Sequence, residues 1–279
     1  MRGRDLKTTL QAGKRVYGIA VEGYGQPRWP SFFANINTID YVFMDSEHSP
    51  NNRETIAWAA QCYAAYGIAP LLRIPDISPS QAAMGMDAGA HGIIVPYIET
   101  VEQAKAMVGA VKYRPLKGVA LEQALSTGQF PSQETEDYLP GFNPDAFLVL
   151  MIESPTGIAN LSDILAIGGI DAILIGPHDL SISLGIPEQY DHPRFIEAVD
   201  SIIQTCQAHN TAVGMHLMFG PLDVAMDWVR RGFNFVSLRG DTLFVANTAL
   251  YELNTVREQV DGIKQADTVG DLGASGHSA

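Results

Sequence analysis

Short apolar runs alternate with longer amphipathic stretches along the chain, and this alternation predicts the fold. The run Phe147–Ile152 is apolar at every position. Strands that are apolar on both faces are typical of buried parallel sheets. The stretches between the runs carry apolar residues at helical spacing, as in Phe195, Val199 and Ile202. The predicted strands are Val16–Glu22, Tyr41–Asp45, Leu71–Ile74, Gly92–Ile98, Phe147–Glu153, Ala172–Gly176, Ala212–Leu217 and Phe235–Arg239.

Capping signals support the predicted helices. Ser78 precedes Pro79, which suits an N-cap followed by proline at the first helical position. Thr100 and Gln103 have the spacing of a capping box. Because doubly wound sheets usually have about six strands, eight β-then-α units favour a closed (β/α)8 TIM barrel. We expect one α/β barrel domain over residues 1–261 and a flexible, Gly-rich tail over 262–279.

One connection does not fit the regular alternation. Residues 114–146 contain several prolines and glycines, and they form a segment too long for a simple loop and helix. Long insertions in a compact domain are usually functional. We expect this segment to be a cover for the active site or an arm at an interface between subunits.

Composition and charge narrow the class of protein. The chain has 279 residues and a net charge of −13, without a cluster of Lys and Arg, so nucleic acid is not an expected partner. No long apolar run and no apolar signal core at the N-terminus are present, which predicts a cytoplasmic enzyme with no membrane span. Cys62 and Cys206 lie in predicted helices without CxxC spacing, so we expect two buried thiols and no structural zinc.

Two carboxylates follow neighbouring strands of the predicted barrel. Glu153 ends strand five and Asp179 follows strand six. Because the active site of such barrels forms at the carboxyl ends of the strands, these side chains can converge on one point. Oxygen ligands on a rigid rim suit Mg²⁺ or Mn²⁺. The alternative is structural: Asp179 caps the following helix, and Glu153 pairs with a base.

Strands two and three end in further polar residues. His48 is a candidate general base that either Asp45 or Glu47 could orient, with a hydrogen-bonded loop histidine as the alternative. Arg73 follows an apolar run, and its guanidinium needs an anion. That anion is either a substrate oxygen or, in a structural ion pair, the carboxylate of Asp45 or Glu47.

Other chemistries have less support. The lysines fall in predicted helices, loops and tails, which argues against a Schiff-base aldolase. No glycine-rich nucleotide-binding motif is present. His91 precedes strand four and is expected to pack, whereas His216 ends strand seven and is a weak candidate for a substrate contact.

Three segments together carry a resemblance to a known family. They are Phe43–Pro50, Gly89–Pro96, and Ile152-Glu153 followed by Ile175–Ser181. In this order they resemble the HpcH/HpaI aldolases, which are class II pyruvate aldolases and include 4-hydroxy-2-oxoheptanedioate and 2-keto-3-deoxy sugar acid aldolases. The resemblance covers about residues 5–255.

The resemblance implies roles for individual residues and for the assembly. It implies that a divalent metal, Mg²⁺ or Mn²⁺ with Co²⁺ as a further candidate, stabilises a pyruvate enolate. It also implies a homohexamer, built as a trimer of dimers, in which the last helix is exchanged between subunits. The implied assignments are Glu153 and Asp179 as metal ligands, His48 as a base acting through a metal-bound water, Asp45 as its partner, Arg73 as a substrate-binding arginine, and the amides of Gly176, His178 and Asp179 as a carboxylate-binding group.

The sequence departs from the family pattern at two places. Met151 stands where the family usually has a glutamine that approaches the pyruvate. The segment Lys117–Ala124 replaces a Gly-rich, Arg-containing segment of the family. We therefore expect an altered pocket for the second substrate.

The sequence leaves three functions open. The first is the retro-aldol cleavage of a 4-hydroxy-2-oxo acid to pyruvate and an aldehyde. The second uses the same enolate in the decarboxylation of oxaloacetate or in a related carbon–carbon lyase reaction. The third is a non-catalytic binding barrel. The expected partners are a small 2-oxo acid and an aldehyde.

Overall fold

The computed structural model describes residues 1–21, 28–218 and 220–263, and eight parallel strands close into a barrel within these residues. Each strand pairs with the next along the chain, and the last pairs with the first. This confirms the predicted (β/α)8 barrel. The strands are β1 Val16–Val21, β2 Tyr41–Asp45, β3 Ala69–Arg73, β4 Gly92–Val95, β5 Phe147–Ile152, β6 Ala172–Ile175, β7 Ala212–Leu217 and β8 Phe235–Gly240.

Helices follow the strands and form the outer layer. The predicted caps are present. The Ser78 hydroxyl accepts a hydrogen bond from the Gln81 amide, and Thr100 forms a capping box with Gln103. A π-helical turn at Arg257–Asp261 follows the last α-helix. The α-helices are α1 Gly3–Gln11, α2 Pro30–Ala34, α3 Arg53–Ala65, α4 Pro79–Asp87, α5 Val101–Lys112, α6 Gly118–Thr127, α7 Gln133–Phe142, α8 Pro155–Ala166, α9 Pro177–Ser183, α10 Pro193–Ala208, α11 Leu222–Arg231 and α12 Asp241–Val256.

The strands separate two apolar cores. On β5, Leu148 and Leu150 pack in the outer core against the helices, whereas Phe147, Val149 and Met151 pack inside the barrel. This alternation follows from the period of two along a strand. It places the next inward position, Glu153, at the carboxyl end of the barrel.

The connection between α5 and β5 lies at the opposite end from the strand carboxyl ends. Lys112 binds the Ala146 carbonyl and Asp171, which precede β5 and β6. Asn143 binds the carbonyl oxygens of Lys112 and Arg114. The insertion forms α6 and α7 at this amino-terminal end, so it does not cover the strand carboxyl ends of its own barrel.

Several local predictions need correction. Strand four ends at Val95 rather than Ile98, because Pro96 cannot donate to the sheet. Of the two free cysteines, Cys206 is buried, but Cys62 is only partly buried. Glu22 and most of the predicted tail lie outside the described residues. Within those residues, no helix has the length and apolar character needed to cross a membrane.

Candidate active site

The predicted site residues lie at the carboxyl ends of β2, β3, β5 and β6. Asp45 ends β2 and Arg73 ends β3, and the two are register partners in the sheet. Glu153 follows β5, and Asp179 lies in the first turn of α9 after β6. Tertiary structure thus brings polar groups from distant parts of the sequence to one rim of the barrel.

Arg73 and Asp45 form a two-pronged ion pair. The Arg73 Nε lies 2.8 Å from Asp45 Oδ1, and Nη2 lies 2.9 Å from Oδ2. The Arg73 Nη1 also lies 3.1 Å from Glu47 Oε2. Both partners of the main pair are buried, at 8% and 2% exposure. The structural ion pair considered for Arg73 is therefore present, and its role in binding substrate stays a prediction.

Burial and pairing act in opposite directions on these groups. Burial alone would raise the pKa of Asp45, but the hydrogen bonds and charge of Arg73 outweigh it and lower that pKa. Burial raises the pKa of Glu47 despite the attraction of Arg73. The pKa of Arg73 is raised, since its carboxylate partners outweigh the cost of burial. Arg73 thus stays charged at the rim.

His48 is the most exposed of the predicted catalytic residues, with 65% of its side chain exposed. Its Nε2 lies 3.7 Å from Glu47 Oε2. The carboxylate of Asp45 instead accepts the backbone amides of Glu47 and His48. Asp45 thus holds the turn that carries His48, and Glu47, the other residue considered for orienting the ring, lies next to it. The partnership of Asp45 with His48 in catalysis stays a prediction.

Glu153 is buried at 4% exposure and is held from two sides. The backbone amide of Tyr97 donates to its Oε2 at 2.9 Å. Gly176 passes so close that an added Cβ would lie 2.0 Å from its Oε1. The pKa of Glu153 is raised to about 7, mainly by burial; the charges of Asp179 and Glu47 also raise it, whereas the Tyr97 amide and Arg73 lower it. The side chain is fixed in place and surrounded by negative charge.

Asp179 lies at the third position of α9, behind Gly176 as N-cap and Pro177. No hydrogen bond or ion pair of its carboxylate is seen in the described part of the chain, and the N-cap of α9 has no side-chain hydrogen bond. Asp179 therefore makes no capping hydrogen bond there, although a carboxylate in the first turn is favoured by the helix N-terminus, so the structural alternative stays open. The first-turn amides of α9 lack partners within the helix, as at any helix start.

One cavity is lined by both predicted metal ligands. Its volume is about 240 Å³, and its lining includes Tyr97, Glu153 and Asp179. Ile182 and Ser183 of α9 line another side. The cavity brings the two predicted metal ligands together, whereas Asp45 and Arg73 contribute to the rim beside it.

The residues of the site suit a hard divalent cation. Asp45, Glu47, Glu153 and Asp179 supply four carboxylates, while Arg73 supplies one guanidinium, so negative charge is in excess. In the described residues, no group of three or more His, Cys, Asp and Glu is arranged to hold a metal. A protein that offers two carboxylates and leaves the other positions to water and substrate matches the usual coordination of Mg²⁺.

The two remaining histidines of interest, His91 and His216, do not line the cavity. His216 is buried inside the barrel, its ring 4.9 Å from that of Phe43, and burial lowers its pKa to about 3. His91 is buried near the amino-terminal end of the barrel. This location agrees with the packing role expected for His91, and the substrate contact considered for His216 stays a prediction.

Tyr97 is a site residue that the sequence prediction missed. The prediction ran strand four through Ile98, which treated Tyr97 as an ordinary strand residue. Pro96 was the available signal, since a proline ends pairing and places the next residue in the loop at the carboxyl end. Burial and the surrounding carboxylates raise the pKa of the Tyr97 phenol, so its hydroxyl remains protonated and can donate.

Known proteins are similar to this chain in sequence and in fold. The family model described as HpcH/HpaI aldolase/citrate lyase matches residues 33–248. The 2-keto-3-deoxy-L-rhamnonate aldolase of Escherichia coli K12 is 32% identical over 212 residues, which cover 75% of this chain and 77% of that protein.

Solved structures agree with the sequence comparisons. An HpcH/HpaI aldolase from Desulfitobacterium hafniense superposes with a TM-score of 0.77 at 25% identity, covering 91% of this chain and 96% of that one. The citrate synthase SbnG superposes with a TM-score of 0.76 at 28% identity, covering 92% and 98%.

The barrel, its rim and these relatives define the class of the protein as a carbon–carbon lyase. The chain belongs to the HpcH/HpaI aldolase/citrate lyase family.

Proposed function

We propose that this enzyme cleaves a 4-hydroxy-2-oxo acid reversibly to pyruvate and an aldehyde, using a divalent cation held by Glu153 and Asp179. The observation that carries the proposal is the shared cavity of these two carboxylates at the catalytic rim, with the pKa of Glu153 raised to about 7 by burial. The similarity to a 2-keto-3-deoxy-L-rhamnonate aldolase supports the substrate class.

The cation supplies electrostatic stabilisation. When bound, Mg²⁺ or Mn²⁺ withdraws electron density from the oxygens of a 2-oxo acid and favours the enolate over free pyruvate. Glu153 and Asp179 are suited to hold it because both are oxygen donors on rigid strand ends. The negative charge around Glu153 that contributes to its raised pKa would also attract a divalent cation, which would compete with the proton near neutral pH.

The protein's own residues handle the proton. During cleavage the C3–C4 bond breaks, its electron pair passes to the enolate of pyruvate, and the 4-hydroxyl loses its proton as the aldehyde forms. His48, acting through an intervening water, takes that proton, and Glu47 beside the ring favours the resulting charge. A proton then returns to C3 and gives pyruvate.

Arg73 neutralises negative charge that develops on the substrate. A guanidinium carries five N–H groups, and the bonds to Asp45 and Glu47 use three of them. The others are available to substrate oxygens. The amides of Gly176, His178 and Asp179 around the start of α9 are proposed to bind the carboxylate of the oxo acid, which the helix N-terminus favours electrostatically.

A substrate panel tests this proposal. Pyruvate is incubated with Mg²⁺ or Mn²⁺ and a series of aldehydes, and the products are identified by mass. We expect a 4-hydroxy-2-oxo acid from at least one hydroxylated aldehyde and its cleavage in the reverse direction. Oxaloacetate decarboxylation without any aldol product would instead favour the second function considered from the sequence.

We also propose that the enzyme is a homo-oligomer joined through α12. This helix of 16 residues has a single buried residue, Asp241, and exposes apolar side chains that include Phe244, Tyr251, Leu253 and Val256. An apolar helix of this kind requires a partner surface. The hexamer with exchanged last helices implied by the family resemblance would provide one.

Light scattering coupled to size exclusion tests the assembly. We expect a hexameric mass for the wild type and a smaller species for the Tyr251→Glu, Leu253→Glu double variant. Lys105→Glu, an exposed change on α5, is the matched control and is expected to keep the wild-type mass. A monomeric wild type at micromolar concentration would contradict this proposal.

A further inference from the structure

The guanidinium of Arg73 contacts an aromatic ring as well as carboxylates. Its Cζ lies 5.0 Å from the centroid of the Phe43 ring. Phe43 and Asp45 are two positions apart on β2, so both side chains point into the barrel, and Asp45 pairs in register with Arg73 on β3. Successive inward positions of one strand thus supply Arg73 with the face of a ring and with a carboxylate.

The contact between Arg73 and Phe43 is shielded from water. The Phe43 side chain is fully buried in the inner core, and Arg73 is buried at the rim above it. A cation over an aromatic ring is attracted by the negative charge of the ring face, and this attraction is stronger where water is excluded than at an exposed site. The loss of the ring should therefore have a measurable effect on Arg73.

The Phe43 ring is itself supported inside the barrel. The ring of His216 on β7 packs against it, with the two centroids 4.9 Å apart and the planes inclined by 40°. Burial lowers the pKa of His216 to about 3, so the imidazole is uncharged at neutral pH and adds no second positive charge near Arg73. Because the interior is closely packed, Phe43 has little freedom to move away from the guanidinium.

The ion pair and the ring restrain Arg73 in different ways. Asp45 binds Nε and Nη2, and Glu47 binds Nη1, which holds the guanidinium against the turn that follows β2. Phe43 lies one inward position deeper than Asp45, so its ring bounds the guanidinium on the side of the barrel interior. Together these contacts leave the remaining N–H groups of Arg73 for ligands at the rim.

We propose that Phe43 is a positioning residue that holds the Arg73 guanidinium at the catalytic rim, so that its N–H groups not bonded to carboxylates face the substrate. This rests on the proposed aldolase function for the identity of the substrate. The competing explanation is packing, in which the ring only fills the barrel interior and another apolar side chain serves as well.

Matched variants separate the aromatic face from apolar packing. Phe43→Leu keeps an apolar side chain but removes the ring, whereas a trifluorinated phenylalanine at position 43 keeps the shape of the ring but weakens the negative charge of its face. Arg73 is proposed to neutralise charge that develops during cleavage, so the effect should fall on kcat. We expect kcat to fall about 10-fold in Phe43→Leu and less with the fluorinated ring, with KM within about twofold of wild type.

Phe147→Leu is the control, because it removes an equally buried ring from the inner core. Phe147 begins β5 at the end of the barrel opposite the rim, and it packs against Phe235 with ring centroids 5.9 Å apart. We expect this variant to lose stability, as Phe43→Leu does, but to keep the wild-type kcat. Equal kcat in wild type and Phe43→Leu, or an equal loss of kcat in Phe147→Leu, would favour packing and overturn the proposal.

A measurement on the guanidinium itself does not depend on the reaction. Rotation about the Nε–Cζ bond of Arg73, followed by exchange NMR with labelled arginine, should be at least about 10-fold faster in Phe43→Leu than in wild type and unchanged in Phe147→Leu. A wild type that cleaves nothing in the substrate panel would end the proposed function, yet these rates would still decide whether Phe43 holds Arg73. Equal rotation rates in wild type and Phe43→Leu would overturn the proposal.

Discussion

The guanidinium of Arg73 and the carboxylate of Asp45 form a buried, two-pronged ion pair, with Nε 2.8 Å from Oδ1 and Nη2 2.9 Å from Oδ2. Asp45 also accepts the amides of Glu47 and His48. The pair therefore joins the ends of β2 and β3 and sets the turn that carries the candidate base. Its removal should affect both stability and catalysis.

Replacing Arg73 with methionine should destabilise the protein. The change leaves the buried Asp45 and the partly buried Glu47 without their cation, and breaking a buried pair typically costs about 3–5 kcal/mol. Because the folded pKa of Asp45 is lowered in wild type, its contribution to stability is present above the unfolded pKa and is lost as the pH falls through the folded pKa. The difference between wild type and variant should therefore shrink below about pH 4.

Urea unfolding of both proteins between pH 3 and 8 measures this difference. Arg230→Met removes an exposed pair with Asp227 and serves as the control, with an expected change within about 1 kcal/mol. An Arg73→Met variant as stable as wild type at pH 7 would be inconsistent with the role of the pair.

The ionisation of Glu153 should make the metal-free protein less stable as the pH rises. Its folded pKa of about 7 lies above the ordinary value of 4.5, so the stabilising contribution is complete below pH 4.5 and is lost as the pH rises through 7. Relative to Glu153→Gln, the wild type should lose about 3 kcal/mol over this interval in the presence of chelator.

Unfolding in chelator and in saturating Mn²⁺ checks this expectation. Bound cation should remove the loss, because it compensates the ionised carboxylate. Parallel stability curves for wild type and Glu153→Gln in chelator would show that Glu153 titrates normally.

Gly176 should be required for metal binding through its close approach to Glu153. A Cβ there would lie 2.0 Å from Glu153 Oε1, so Gly176→Ala must displace the carboxylate. We expect Mn²⁺ affinity to fall at least about 10-fold, consistent with the cost of disturbing a metal ligand's support. Gly141→Ala, on a helix with open space around the added carbon, is the control. Calorimetric titration with equal affinities in the two variants would exclude this role.

The sequence predicted the fold through periodicity and missed contacts that depend on three-dimensional placement. The eight strands could be predicted because each is a run of apolar residues. One face of each strand packs against the helices, and the other face packs inside the barrel. The pairing of Arg73 with Asp45 was one of several open alternatives. A position at a strand end does not show whether the guanidinium binds a substrate oxygen or a carboxylate of the protein. Tyr97 was missed, because a left-handed residue after a proline has no signature in the apolar pattern. The irregular segment at 114–146 was recognised from the sequence. The sequence did not show, however, at which end of the barrel this segment lies.

Restoring a glutamine at position 151 should alter substrate binding at a cost in stability. Met151 is 1% exposed and faces the barrel interior directly before the site. A buried amide there costs about 1–3 kcal/mol unless it is hydrogen-bonded. Because the family resemblance implies that this glutamine approaches pyruvate, we expect Met151→Gln to lower the KM for pyruvate several-fold in proton exchange.

Met215→Gln separates the two effects of this substitution. Met215 is similarly buried, at 3% exposure, but it packs in the outer core. The Met215→Gln variant should therefore be less stable than wild type but have the same KM for pyruvate. The same KM in Met151→Gln and wild type would show that position 151 does not reach the oxo acid.

The exchange of the methyl protons of pyruvate with deuterium, followed by NMR, tests the central claim most directly. It reports enolate formation without any need to know the aldehyde. We expect exchange in wild type with Mg²⁺ or Mn²⁺, its loss after exhaustive chelation and its return when the cation is added back. We expect no exchange in Glu153→Gln. Undiminished exchange in the chelated wild type or in Glu153→Gln would contradict a cation-dependent enolate held at Glu153 and Asp179.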